Sequence, residues 1–397
     1  MSMHPFRGLS LVTLHAVAVS LPCAAPQANT SESFAKVGDS VWLEGKDGHT
    51  TAAIRALETR TQFTFLETAH FRLASSLADA IPPVDLGQRR RLQEELELLR
   101  SRGYAAPTQP RLLNRTLRAH LYALRLERLY EDVSRRFGVC DADFPSEVSH
   151  RRDATYLGEG PFFGMRQRFL VVLCENESTL ARYCDAFLKR STNHNGVRHF
   201  FRKEGCLFFG AAEIGQQTSV ASDRALHAAL AYNVTHNLVD AFKYYWHEVP
   251  FWLQEGFAHW ERRQIDEATD LFTFLPTGLP EKNRVLDWAT SVRARTQLSN
   301  FTPLRDALPW LDDRTIEFGD HLAIWSRVDF ILRRHPAAFG KLMRAIKGPE
   351  LKGATFTPTA ERLLQRQVDA LNTVFGWTPE AFDTAWTAFA KETYPRK

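Results

Sequence analysis

The residues best equipped for chemistry lie between Ala225 and Glu261, in the stretch ALHAALAYNVTHNLVDAFKYYWHEVPFWLQEGFAHWE. Two side chains four apart on a helix share one face, so Tyr232 and His236 can face a single metal ion together. Glu255 follows His236 by 255 − 236 = 19 residues. Imidazole and carboxylate are good transition-metal ligands; a phenol ligates as phenolate, against an ordinary pKa of about 10. His236 and Glu255 alone are one short of the three protein ligands usual in catalytic zinc sites. Asn233 has no proton-accepting group near neutral pH, so it cannot act as a general base.

The elements that must position these residues are two helices. The first half of the stretch has no Gly or Pro before Pro250, which predicts one helix, and a second helix begins near Trp252 and carries Glu255. The order helix, turn, then Pro-x-Trp-Leu-x-Glu-Gly-x-Ala-x-aromatic resembles the zinc core of gluzincin metallopeptidases. In that family His-Glu-x-x-His on the first helix supplies two ligands and the general base, and a Glu on the second helix is the third ligand. On that register Tyr232 stands at the first His, Asn233 at the catalytic Glu, His236 at the second His and Glu255 at the third ligand.

The same resemblance extends along the chain. Thr68, His70, Phe71 and Leu73 resemble the opening strand of peptidase-MA-like proteins, where His70 reads as a strand-face residue. Gly210, Ala211, Ala212 and Glu213 resemble the Gly-Ala-x-Glu edge strand that holds substrate in gluzincin aminopeptidases. Strand addition of a peptide ligand would follow from such an edge, and Glu213 becomes a substitute base if the chain is active. His321 falls where a downstream His or Tyr stabilises the oxyanion in active members. The segment ending at Trp386 resembles the family's terminal helix.

The implied fold is α+β and zincin-like, a mixed sheet with helices followed by a mostly helical subdomain. It divides the chain into 1–28, 29–60, 61–275 and 276–397: a signal peptide, a polar segment, an α/β half and a helical half. Pro276, Gly278 and Pro280 lie in a loop predicted over 271–282.

Local signals fill in the elements. Residues 61–75 alternate enough for one or two strands, and RFLVVLC from Arg168 to Cys174 is a continuous apolar run suited to a buried strand. Asn114 to Phe137 reads as a long amphipathic helix ending at a Gly138 cap. Residues 86–102 read as a charged helix with a solvated face, and Ser178 as the cap of a helix running to Leu188. Cys206 to Gly215 reads as a strand, and His194 and His199 as members of a surface loop. Asp320 to Arg334 is an amphipathic helix stopped at His335-Pro336. His227 is too far from His236 along the helix to replace residue 232, His259 one turn after Glu255 either points toward the site or is exposed, and His247 falls in the turn.

Composition narrows the function classes. With 50 basic against 46 acidic residues the formal charge is +4, which gives no reason to invoke nucleic acid. Arg7, the apolar run Leu9 to Leu21 and the small residues Ala24, Ala25 and Ala28 resemble a secretory signal, so export is expected. That run is too short for a bilayer span, so no transmembrane segment is expected. Pro22 before Cys23 argues against a lipid anchor. Past the signal, Cys140, Cys174, Cys184 and Cys206 are an even number, open to disulfides or to buried thiols, without zinc-type spacing.

Three readings follow. The chain is a catalytically silent, exported metallopeptidase-like protein whose cleft binds a peptide or protein. Alternatively it is an active hydrolase binding zinc through Tyr232, His236 and Glu255, or a structural envelope protein.

Overall fold

The computed structural model describes residues 34–58, 62–150, 155–192, 195–214, 222–244, 249–267, 287–312, 316–347 and 360–396. The signal-like residues 1–28, the loop at 271–282, the boundary near 275, His194 and His247 lie outside them.

Period-2 and continuous apolar runs become one six-stranded mixed sheet. Its strands are β1 (Ala35–Lys36), β2 (Thr64–Glu67), β3 (Phe71–Ser75), β4 (Phe169–Asn176), β5 (Gly196–Phe201) and β6 (Cys206–Ile214). The order is β1-β2-β3-β4-β6-β5, with β3, β4 and β6 parallel and the other pairs antiparallel. The apolar run at Arg168 to Cys174 forms β4, flanked on both edges, as a strand buried on both faces should be. β1 pairs with β2, and Trp42, Leu43 and Ile54 are fully buried against the sheet, so residues in the polar 29–60 segment belong to the sheet unit.

The edge-strand expectation for Gly210 to Glu213 is overturned. β6 is an inner strand: Gly210 pairs with Val172 of β4 on one side and Val197 of β5 on the other. The edge is β5, which contains His199; the predicted loop there is a strand because Val197 and Phe201 are buried in the second apolar core.

The helices are α1 (Thr51–Ala56), α2 (Leu86–Ser101), α3 (Arg115–Phe137), α4 (Glu177–Tyr183), α5 (Asp223–Ala241), α6 (Phe251–Ile265), α7 (Trp288–Gln297), α8 (Leu304–Ala307), α9 (Phe318–Arg334), α10 (Pro336–Ile346), α11 (Ala360–Phe375) and α12 (Pro379–Thr393). α3 begins at Asn114, whose side chain accepts from Leu117 N, and ends at Gly138 in the left-handed conformation, φ 63°. The cap of α4 is Asn176, accepting from Thr179 N, and not the expected Ser178. α2 is not simply solvated: Glu95 is buried in a two-pronged ion pair with Arg125 of α3. Cys174, Cys184 and Cys206 are buried free thiols, so the even count does not translate into pairing among these three. Among the described residues no helix is long and apolar enough to cross a membrane.

One apolar core runs from Leu66 and Phe71 of the sheet through α3, α5, α6 and α9 to Trp386 and Tyr394, so both halves of the chain share it. α6 lies between α5 and α9 at the middle of this core. Gly256 makes the α6–α9 approach possible: a Cβ there would sit 2.5 Å from the Ile324 carbonyl oxygen. Three hydrogen bonds fix α9, one from α6 and two from the C-terminal segment. Trp260 Nε1 donates to Asp329, Tyr394 donates to Asp329, and Trp386 Nε1 donates to Ser326.

Candidate functional site

α5, α6 and α9 converge on one carboxylate. α5 contributes Tyr232 and His236, which share a face by their i,i+4 spacing. α6 contributes Glu255 and, one turn later, His259. α9 contributes His321 from its first turn, which is fixed by a capping box between Glu317 and Asp320. Gln254 ties α6 back to α5 by donating to Asp240 Oδ1 at 2.6 Å. His236, Glu255, His259 and His321 are all at most 3% exposed.

The contacts on Glu255 are dense. Tyr232 donates its hydroxyl to both carboxylate oxygens at 2.7 Å. His259 Nε2 is 2.9 Å from Oε1, and His321 Nδ1 is 3.3 Å from the same oxygen. His259 Nε2 and His321 Nδ1 are themselves 3.0 Å apart. His236 Nε2 is 3.0 Å from the other oxygen, Oε2, but off the hydrogen-bonding direction, so neither ring nitrogen of His236 makes a hydrogen bond among the described residues.

Electrostatics sort the protons. Burial alone would raise the Glu255 pKa; the facing His259 and the contacts from His236 and His321 outweigh it and hold the carboxyl well below its usual range. Burial pushes His259 down to about 3 despite Glu255 beside it. Burial, helped by Arg198, also lowers His236. Burial and the Glu255 charge push the Tyr232 phenol well above 10.0. The site is therefore an ionised carboxylate held by a neutral phenol, with neutral imidazoles at positions 236 and 259.

The sequence-derived candidates separate into two groups. Tyr232, His236, Glu255 and His321 are brought together, whereas Asn233 and Glu213 are engaged elsewhere. Asn233 Nδ2 donates to the Ala229 carbonyl of its own helix at 2.9 Å. Glu213, the candidate substitute base, accepts two hydrogen bonds from the buried Arg118 guanidinium, at 2.7 and 3.1 Å. Glu213 is thereby held as an ion-pair partner of α3. Tyr232 donates its proton to Glu255, and burial pushes its phenol well above the ordinary value. His227 lies at the other end of α5, lining a cavity with Arg91, Arg125 and Asp223.

Of the two places open to His259 in the sequence, toward the site or on the surface, the structure takes the first: it is buried beside Glu255. Its signal was present, since it follows Glu255 by four residues and so shares its helix face. The resemblance implies zinc on positions 232, 236 and 255. A different buried set, Glu255, His259 and His321, has donor atoms close enough together that it could hold a metal ion.

No family model matches the chain, and no curated protein shows significant similarity to it.

Proposed function

We propose that this chain is an exported, metallopeptidase-like protein without peptidase activity, which binds a peptide or protein partner. The observation that carries the reading is the state of Glu255 and Asn233 together. The one carboxylate at the centre of the site is fully engaged by Tyr232 and the surrounding imidazoles. The amide at position 233 is turned to its own helix backbone, so no carboxylate there can take a proton from water. Loss of a positioned general base typically costs about 10²–10⁴-fold in rate.

Binding would use the sheet edge. β5 is six residues long against two for β1 at the other end, and is the edge strand long enough to template an extended peptide. It borders the site helix, with Arg198 of β5 3.7 Å from Asp240 of α5. In this reading substrate-like contact survives and hydrolysis does not.

The test is hydrolysis of a set of internally quenched peptides by the mature chain, with and without added zinc. The expected result is no cleavage above the buffer rate in either condition. Zinc-dependent cleavage by the wild type that disappears in Glu255→Gln overturns the proposal.

A further inference from the structure

We propose that Glu255, His259 and His321 form a binding site for one divalent first-row transition-metal ion, with donors from α6 and α9 in place of α5. The first argument is size. Glu255 Oε1, His259 Nε2 and His321 Nδ1 form a triangle with sides of 2.9, 3.0 and 3.3 Å. Ligand atoms about 2.0–2.1 Å from a tetrahedral zinc ion are separated by about 3.3 Å. The triangle is already close to the face of such a tetrahedron.

The second argument is the donor set. One carboxylate oxygen and two imidazole nitrogens, all on buried side chains, converge within 3.3 Å of one another, and each can offer a lone pair to a cation between them.

The third argument is the support around the set. Tyr232 donates to both oxygens of Glu255, and His236 packs against Oε2, the oxygen away from the triangle. These are positioning residues for the carboxylate, the kind of outer contact that orients a metal ligand. Gly256 brings Glu255 and His259 against the first turns of α9 by allowing α6 to approach Ile324. Two imidazoles and one carboxylate select zinc-like ions over calcium or magnesium, which take oxygen ligands. The metal would join α6 to α9 within the core. This assignment does not rest on the peptidase-silent reading: metal binding can fail while the chain remains inactive, and cleavage can appear without moving the ligands.

The test uses the full chain, purified without a metal-affinity tag, stripped with a chelator and titrated with zinc, with calcium as a control. Bound metal is counted by mass spectrometry and the melting temperature is read in parallel. The wild type is expected to hold about one zinc per chain, with a raised melting temperature, and no calcium. His259→Ala and His321→Leu are expected to lose the zinc; leucine at 321 fills similar space without a donor. His236→Ala and Tyr232→Phe are expected to keep it with about 10–100-fold weaker affinity. The cobalt(II) visible spectrum of the wild type reads the site without any substitution, and is expected to show the bands of a low-coordinate ion. A wild type that takes up neither zinc nor cobalt overturns the proposal. So does zinc retained in His321→Leu and lost in His236→Ala, which would return the site to α5.

Discussion

Two histidine–carboxylate clusters in this chain, each built around a buried histidine, use the same functional groups to opposite ends. At the foot of β3, one imidazole meets two carboxylates. His70 Nδ1 is 2.7 Å from Glu127 of α3, Nε2 is 3.1 Å from Asp141, and the ring stacks on Tyr130 at 3.6 Å. Burial alone would lower the His70 pKa, but the hydrogen bonds to Asp141 and Glu127 outweigh it and raise it to about 9. At the junction of α5, α6 and α9, three imidazoles share one carboxylate, and burial wins at His259 and His236. The ratio of acid to imidazole decides the chemistry. With carboxylates in excess the histidine is a cation with both nitrogens used as donors, which makes a clasp. With imidazoles in excess there are lone pairs for an electrophile to use.

The largest expected effect comes from removing the shared carboxylate of the second cluster. Glu255→Ala leaves Tyr232 and the imidazoles in the core without their common acceptor, at about 1–3 kcal/mol for each buried group left unsatisfied, and is expected to cost about 3–5 kcal/mol in urea unfolding. A loss under about 1 kcal/mol would mean that the cluster contributes little to the α5–α6–α9 junction.

The clasp should respond next. Because the folded His70 pKa lies above the unfolded value near 6.5, its stabilisation is fully present below about pH 6.5 and disappears as pH rises through about 9. His70→Gln is therefore expected to cost about 2–3 kcal/mol near pH 6, with the gap to wild type closing toward about pH 9. A gap independent of pH would break the contrast between the clusters.

The smallest effect sharpens it. Tyr232→Phe removes one charge-assisted hydrogen-bond donor from Glu255 and is expected to cost about 1.5–3 kcal/mol, toward the lower end because the imidazoles remain. An increase in stability would place the hydroxyl outside the network.

Much of the scaffold was legible because its signals are local. The caps at Asn114 and Gly138, the apolar run of β4, the start of α6 after Pro250 and the stop before Pro336 each act within a few residues. The convergence of Tyr232, His236 and Glu255 was readable from helical spacing and from the resemblance. What was not legible depends on packing between distant elements. Whether β6 is an edge or an inner strand depends on where β5 pairs, and Val197 and Phe201 do not reveal that in sequence. Glu213 reads as a candidate base and Glu95 as a member of a solvated face until Arg118 and Arg125 of α3 are placed against them. His259 and His321 are 62 residues apart, and their meeting depends on the α6–α9 approach that Gly256 allows.

The most direct measurement is imidazole nitrogen NMR of the ¹⁵N-histidine-labelled, metal-free chain, recorded across pH and then with zinc. The account expects His70 to be doubly protonated at about pH 8, His259 to be neutral at about pH 6, and His236 to titrate below the ordinary histidine range. Zinc should then move His259 and His321 and leave His70 unchanged. A neutral His70 at about pH 8, or zinc that moves His70 and spares His321, would contradict it.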